Sequence, residues 1–131
     1  AFEHPVEVDS MLECLEVLVN LIGENKKAML HIYCSVQRET FTSVLDKMCQ
    51  YVIKQYIVHN FKEEIMEKED MKVLMHFYKC VMIGVILDWM DHRMSYDLTE
   101  YAEKLRELYE NTFEKTLEKV AGTKPAYLKI V

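Results

Sequence analysis

The sequence predicts an all-α protein: an antiparallel bundle of about five helices, the last two forming a four-helix interface between two copies. Three observations carry that expectation. Only three Gly and two Pro occur in 131 residues, whereas sheet proteins need turn residues every few positions. Half of the residues are apolar, enough for a packed core and too many for a disordered chain. The apolar residues also recur at i, i+3, i+4 and i+7, the spacing of one helix face. The length suits one domain, so residues 1–131 are read as a single unit.

The first helix is predicted over about Val8 to Ile22, where Val8, Met11, Leu12, Leu15, Leu18, Val19 and Ile22 make one stripe. Ser10 with Glu13 fits a capping box, Asp9 would cap equally well, and Gly23 stands where a helix ends. A short second helix from Asn25 to about Cys34 buries Met29, Ile32 and Tyr33. The third begins between Ser35 and Thr40 and reaches about His59, with Phe41, Leu45, Met48, Val52 and Tyr56 as its stripe. Charge-rich Asn60 to Lys68 is expected to contain a loop anchored by Phe61 and Ile65. The fourth helix, about Asp70 to His92, is apolar nearly all round, the pattern of a helix covered on more than one side. The fifth spans Asp97 to Gly122. Asp97 and Glu100 suit a capping box, and Gly122 sits at the C′ position with Pro125 beyond. Leu98, Tyr101, Ala102, Leu105, Tyr109, Thr112, Phe113 and Val120 line one face, and Glu103, Lys104, Arg106, Glu107, Glu110 and Glu114 the other.

Composition narrows the function classes. With a formal net charge of −6 and no Lys/Arg cluster along the chain, the domain is a poor electrostatic match to phosphate backbones. The longest uncharged apolar run in the middle of the chain, Cys80 to Leu87, is far short of the ~20 residues of a membrane span, so no membrane partner is expected. Cys14, Cys34, Cys49 and Cys80 are widely spaced and lie among apolar residues. They read as buried, reduced thiols of a cytoplasmic protein.

No motif for catalysis is present: no Gly-rich phosphate loop, no G-x-S-x-G elbow, no H-E-x-x-H helix. The chain is not expected to be an enzyme. His31 with Cys34, and His76 with Cys80, could share helix faces, but zinc needs three or four converging ligands, so no metal or other cofactor is expected. Asp88 and His92 suit a surface i, i+4 pair. Polar groups on otherwise apolar faces are more informative, because a small-molecule pocket combines apolar walls with a few orienting polar groups. On that ground Tyr33, Met48, Tyr51, Gln55, His59, His76 and Cys80 are the candidate ligand-binding residues. The fourth and fifth helices carry more apolar surface than the shorter ones cover, so Ile83, Gly84, Leu87, Met90, Tyr101, Leu105, Tyr109 and Phe113 are the candidate dimer contacts. Gly84 inside a helix costs about 1 kcal/mol of propensity, which the close approach of another helix offsets.

The stretch from His76 through Phe77, Tyr78, Gly84 and Trp89 to Met90 resembles the penultimate helix of TetR-family transcriptional regulators, with an aromatic pair, then Gly, then Trp before a short loop. Met94 to Glu100 and Leu105 to Leu108 are similar to that family's last loop and last helix. Upstream, a helix, then Glu24-Asn25 and a short helix, then a long one from Arg38 resemble the C-terminal domain of the branch nearest the dihydroxyacetone-kinase activators. The resemblance implies a homodimer that binds a small hydrophobic or amphipathic ligand. It also implies control of DNA through an N-terminal helix-turn-helix of about fifty residues, absent from this sequence and expected in a longer parent protein. The alternative is a protein-interaction or coactivator module with no small-molecule ligand.

Overall fold

The computed structural model describes residues 11–109 and 112–122. In order, these form α1 (Met11–Gly23), α2 (Lys26–Tyr33), α3 (Arg38–Asn60), a 3₁₀ turn (Glu63–Glu67), α4 (Glu69–Asp91), α5 (Leu98–Tyr109) and α6 (Thr112–Ala121). The described residues contain no strand.

α1 buries Cys14, Leu15, Leu18, Val19 and Ile22 along one stripe and lies between α3 and α5. Val8, Asp9 and Ser10, where its start and cap were expected, lie outside the described residues. Asn25 stands at the start of α2 as its spacing suggests, but it caps through its carbonyl, which accepts from the Met29 N–H at 2.9 Å, and not through its side chain. α3 buries Phe41, Leu45, Cys49, Val52, Ile53, Tyr56 and Ile57. The connection after it is not a plain loop: the 3₁₀ turn folds Ile65 into the core beside Phe61.

α4 crosses the middle of the fold, touching α3 on one side and α6 on another. Met71, Tyr78, Met82, Ile86, Trp89 and Met90 are its buried side. By length and composition alone it would pass for a membrane span, but here its inner stripe is core, and its first turns carry Glu69, Asp70, Lys72, His76 and Lys79. It ends in a Schellman motif: the Met94 N–H donates to the Trp89 carbonyl and the Arg93 N–H to the Met90 carbonyl, both at 2.9 Å. Arg93 and Met94 take φ of 55° and 57°, and Met94 tucks into the core. The indole N–H of Trp89 donates to the Tyr96 carbonyl at 2.9 Å, tying the turn down.

Asp97 caps α5 as expected, its carboxylate accepting the Glu100 N–H at 3.1 Å. Beyond that, the single fifth helix read from the sequence is described as two segments that meet different neighbours: α5 packs on α1 and α6 on α4. Residues 110 and 111 between them lie outside the described residues. Leu98, Ala102 and Leu117 are the buried apolar residues among those described, and Arg106 reaches across to Glu16 of α1 at 2.6 Å. Glu114, expected on the solvated face, is buried, because α6 turns that side toward α4. Gly122 closes α6 with φ of 75° and its N–H on the Glu118 carbonyl at 2.8 Å.

Candidate ligand cleft and outer apolar face

On α3, residues 47, 50, 51 and 54 follow i, i+3, i+4, i+7 and therefore share a face. Residues 72, 75, 76 and 79 repeat that spacing on α4. The two faces border one cleft of about 530 Å³, within the ~300–1,000 Å³ usual for small-molecule sites. From α3 it is lined by Lys47, Gln50, Tyr51, Ile53 and Lys54, from α4 by Lys72, Met75, His76 and Lys79, and Met66 of the 3₁₀ turn contributes as well. Packing demands this arrangement, because the opposite sides of both helices are committed to the core.

The charge in this cleft was invisible along the chain, where no basic cluster stands out. Folding gathers four lysines and a histidine at one place, with no Asp or Glu among the lining residues. Lys79 is tied to Asp46 at 3.0 Å, and that hydrogen bond holds the Asp46 carboxyl below its ordinary range. Lys72 lies 3.9 Å from Glu67, both largely in solvent. Lys47 and Lys54 have no ion pair among the described residues.

Of the candidate ligand residues, Tyr51 and His76 face each other's helices across this cleft. Met48 is half-buried against the core, and Gln55, also half-buried, stands one position beyond Lys54 outside the lining. His59 is exposed near the end of α3. Cys80 is exposed, its thiol 3.7 Å from the His76 Nε2, and it borders a smaller hollow of about 410 Å³ with Val81, Gly84, Tyr96 and Tyr101. Tyr33 serves elsewhere. Its hydroxyl donates to Asp91 and accepts from Arg38, whose guanidinium lies 4.1 Å from the Tyr33 ring centre. This cluster fastens the start of α3 to the end of α4. Burial, with the Asp91 hydrogen bond, pushes the Tyr33 hydroxyl up to about 12.

The candidate dimer residues divide similarly. Gly84, Tyr101 and Tyr109 are exposed, while Ile83, Leu87 and Leu105 are half-buried. Met90 is buried within the protomer, and the Phe113 side chain lies outside the described residues. Sequence reasoning passed over the strongest part of this surface. Val73, Phe77 and Val81 follow i, i+4, i+8 on the outer side of α4 at 60 %, 56 % and 44 % exposure, and Leu108 of α5 reaches 72 %. Gly84 continues the stripe with open space where a Cβ would be. The spacing was readable; which of the apolar sides of α4 would stay uncovered was not.

No group of three His, Cys, Asp or Glu side chains converges among the described residues. Cys14 is buried and its thiol pushed far up by desolvation, and burial pushes Cys49 up to about 12, so both are protonated and poor nucleophiles.

Residues 9–111 match the family model described as the transcriptional regulator C-terminal region, of TetR type. No curated protein and no solved structure matches the chain.

Proposed function

The chain belongs to the family of TetR-type transcriptional regulator C-terminal regions, and from that premise we propose that it is the ligand-sensing and dimerising part of a cytoplasmic regulator. Domains of this family generally dimerise and bind small molecules, acting by binding and not by catalysis. The observation that carries the reading here is the cleft between α3 and α4, where Tyr51, Ile53, Met66 and Met75 stand among four lysines, Gln50 and His76. A small molecule that fits one arrangement of these helices better than another shifts the population toward it. The shift then passes to a DNA-reading unit carried elsewhere in the regulator, a helix-turn-helix in the reading favoured by the resemblance. The likeness to the dihydroxyacetone-kinase-activator branch rests on the helix pattern around Glu24-Asn25 and Arg38.

Dimerisation is assigned to the outer stripe Val73, Phe77, Val81 and Gly84 with Tyr101 and Leu108 of α5. Exposed apolar side chains in so continuous a row mark an interaction surface, and a two-fold axis lets the same stripe serve both copies. In sedimentation at micromolar concentration the chain is expected to run as a dimer, and Phe77→Glu as a folded monomer with unchanged helical content. A wild-type chain that stays monomeric would favour the alternative, a stripe that receives a different protein. The sensing function is tested by thermal-shift screening of a metabolite collection against the chain and against Met75→Trp, which fills the cleft. Hits that stabilise both proteins equally would bind elsewhere and remove the cleft from the account.

A further inference from the structure

The charge of the cleft says what kind of molecule it receives. The chain carries 22 acidic residues against 16 Lys and Arg, so a patch drawn at random from its surface would be acidic. The cleft instead draws a quarter of those basic residues and no carboxylate into its lining. The lysines are not there to balance one another's neighbours. Only Lys79 has a close acidic partner, Asp46 at 3.0 Å, and its side chain is more covered than that of Lys72, 19 % against 54 % exposed. The 3.9 Å approach of Lys72 to Glu67 joins two exposed side chains and contributes little. Lys47 and Lys54, with no ion pair among the described residues, stand seven positions apart on α3, about 10 Å along its axis. Between them lie Gln50, Tyr51 and Ile53, with Met66, Met75 and His76 opposite. Charge waits at both ends, and the stretch between sets Tyr51, Ile53, Met66 and Met75 beside the hydrogen-bonding groups of Gln50 and His76.

We propose that the cleft takes an organic anion. Its apolar body lies on Tyr51, Ile53, Met66 and Met75, and its acid group is held by Lys54 or Lys47 at either end. This deepens the sensor reading above and rests on it. The adaptable methionine side chains suit a flexible or irregular apolar body. Like cations held together around one cleft repel, and an entering negative charge relieves that repulsion where a neutral molecule does not. Acid groups thereby gain over neutral analogues of equal length. Gln50 and His76, on the same two faces, offer the acid or its neighbours hydrogen-bond partners.

The test uses the intact chain with decanoate as the anionic probe and 1-decanol as its neutral counterpart of equal length, followed by thermal shift and titration calorimetry. Decanoate is expected to bind about tenfold more tightly than 1-decanol, the usual worth of one charge-assisted contact. That advantage should shrink as salt is raised. Lys54→Gln and Lys47→Gln are expected to weaken decanoate several-fold and to leave 1-decanol unchanged. Both substitutions lie on exposed positions, so the melting temperature of the free protein stays where it was. Equal binding of the two probes, with both lost in Met75→Trp, would overturn the inference about charge and leave the cleft as a ligand site. Binding of both probes that survives Met75→Trp, or no binding of either, would overturn the sensor reading of the cleft and this inference with it.

Discussion

Each cysteine reports its own surroundings. Cys14 and Cys49 have no exposed surface, and burial holds both thiols protonated. Cys34 and Cys80 are exposed and open to reagents in solvent. In the native protein a disulfide-exchange reagent is expected to label Cys34 quickly and to spare Cys14 and Cys49 until denaturant is added. Cys80 borders the hollow beside Val81 and Tyr101, so its labelling should slow as protein concentration rises and the outer stripe becomes covered. A Cys80 rate independent of concentration would argue against that stripe as the seam between copies. The sequence predicts all four thiols to be buried, and Cys34 and Cys80 depart from that, because which thiols face outward depends on helix rotation. Cys34 ends α2 as its C-cap, and Cys80 lies on the outer side of α4.

The helices themselves were the most legible part of the chain, because a 3.6-residue period leaves a mark in any sequence that buries one side. α1, α3 and α4 fall where their stripes put them. What the period does not encode is which helix a face will meet. The stretch after Asp97 has a stripe that runs through both α5 and α6, yet the first packs on α1 and the second on α4, and Glu114 is buried by that second contact. The cleft lysines were hidden for the same reason. Spread over two helices, Lys47, Lys54, Lys72 and Lys79 read as ordinary solvated charge until α3 and α4 lie side by side. The end of α4 shows a different kind of illegibility, since its C′ residue is Arg93 and not the usual glycine. A non-glycine residue in the left-handed region costs about 1–2 kcal/mol. Arg93→Gly removes that cost and returns part of it as extra freedom of the unfolded chain. A net gain of about 0.5–1 kcal/mol is expected, read as a rise of a few degrees in melting temperature. A loss of stability would mean that the Arg93 side chain, whose guanidinium lies 3.9 Å from the Cys34 sulfur, contributes more than the backbone relief.

At the scale of the whole molecule, the buried hydroxyls and thiols set an alkaline limit. Burial raises Tyr33, Tyr78 and Tyr96 from 10.0 to about 12, and Cys49 from 9.0 to about 12. In every case the folded value exceeds the unfolded one, so the unfolded chain loses its protons first. The associated stability is complete below pH 9 and is lost progressively as pH climbs from 9 toward 12. Denaturant midpoints measured across that range should fall steadily, and a flat profile would show that these side chains open to water before they ionise. α4 has the widest reach in this molecule. One side of it anchors the interior through Tyr78, Met82, Ile86 and Trp89, a second walls the lysine-edged cleft, and a third presents Val73, Phe77 and Val81 outward. A rigid rod shared in this way has no private motion. Any guest that rolls it by even a small angle at His76 must also turn Phe77, the very next residue, against whatever lies on the far side.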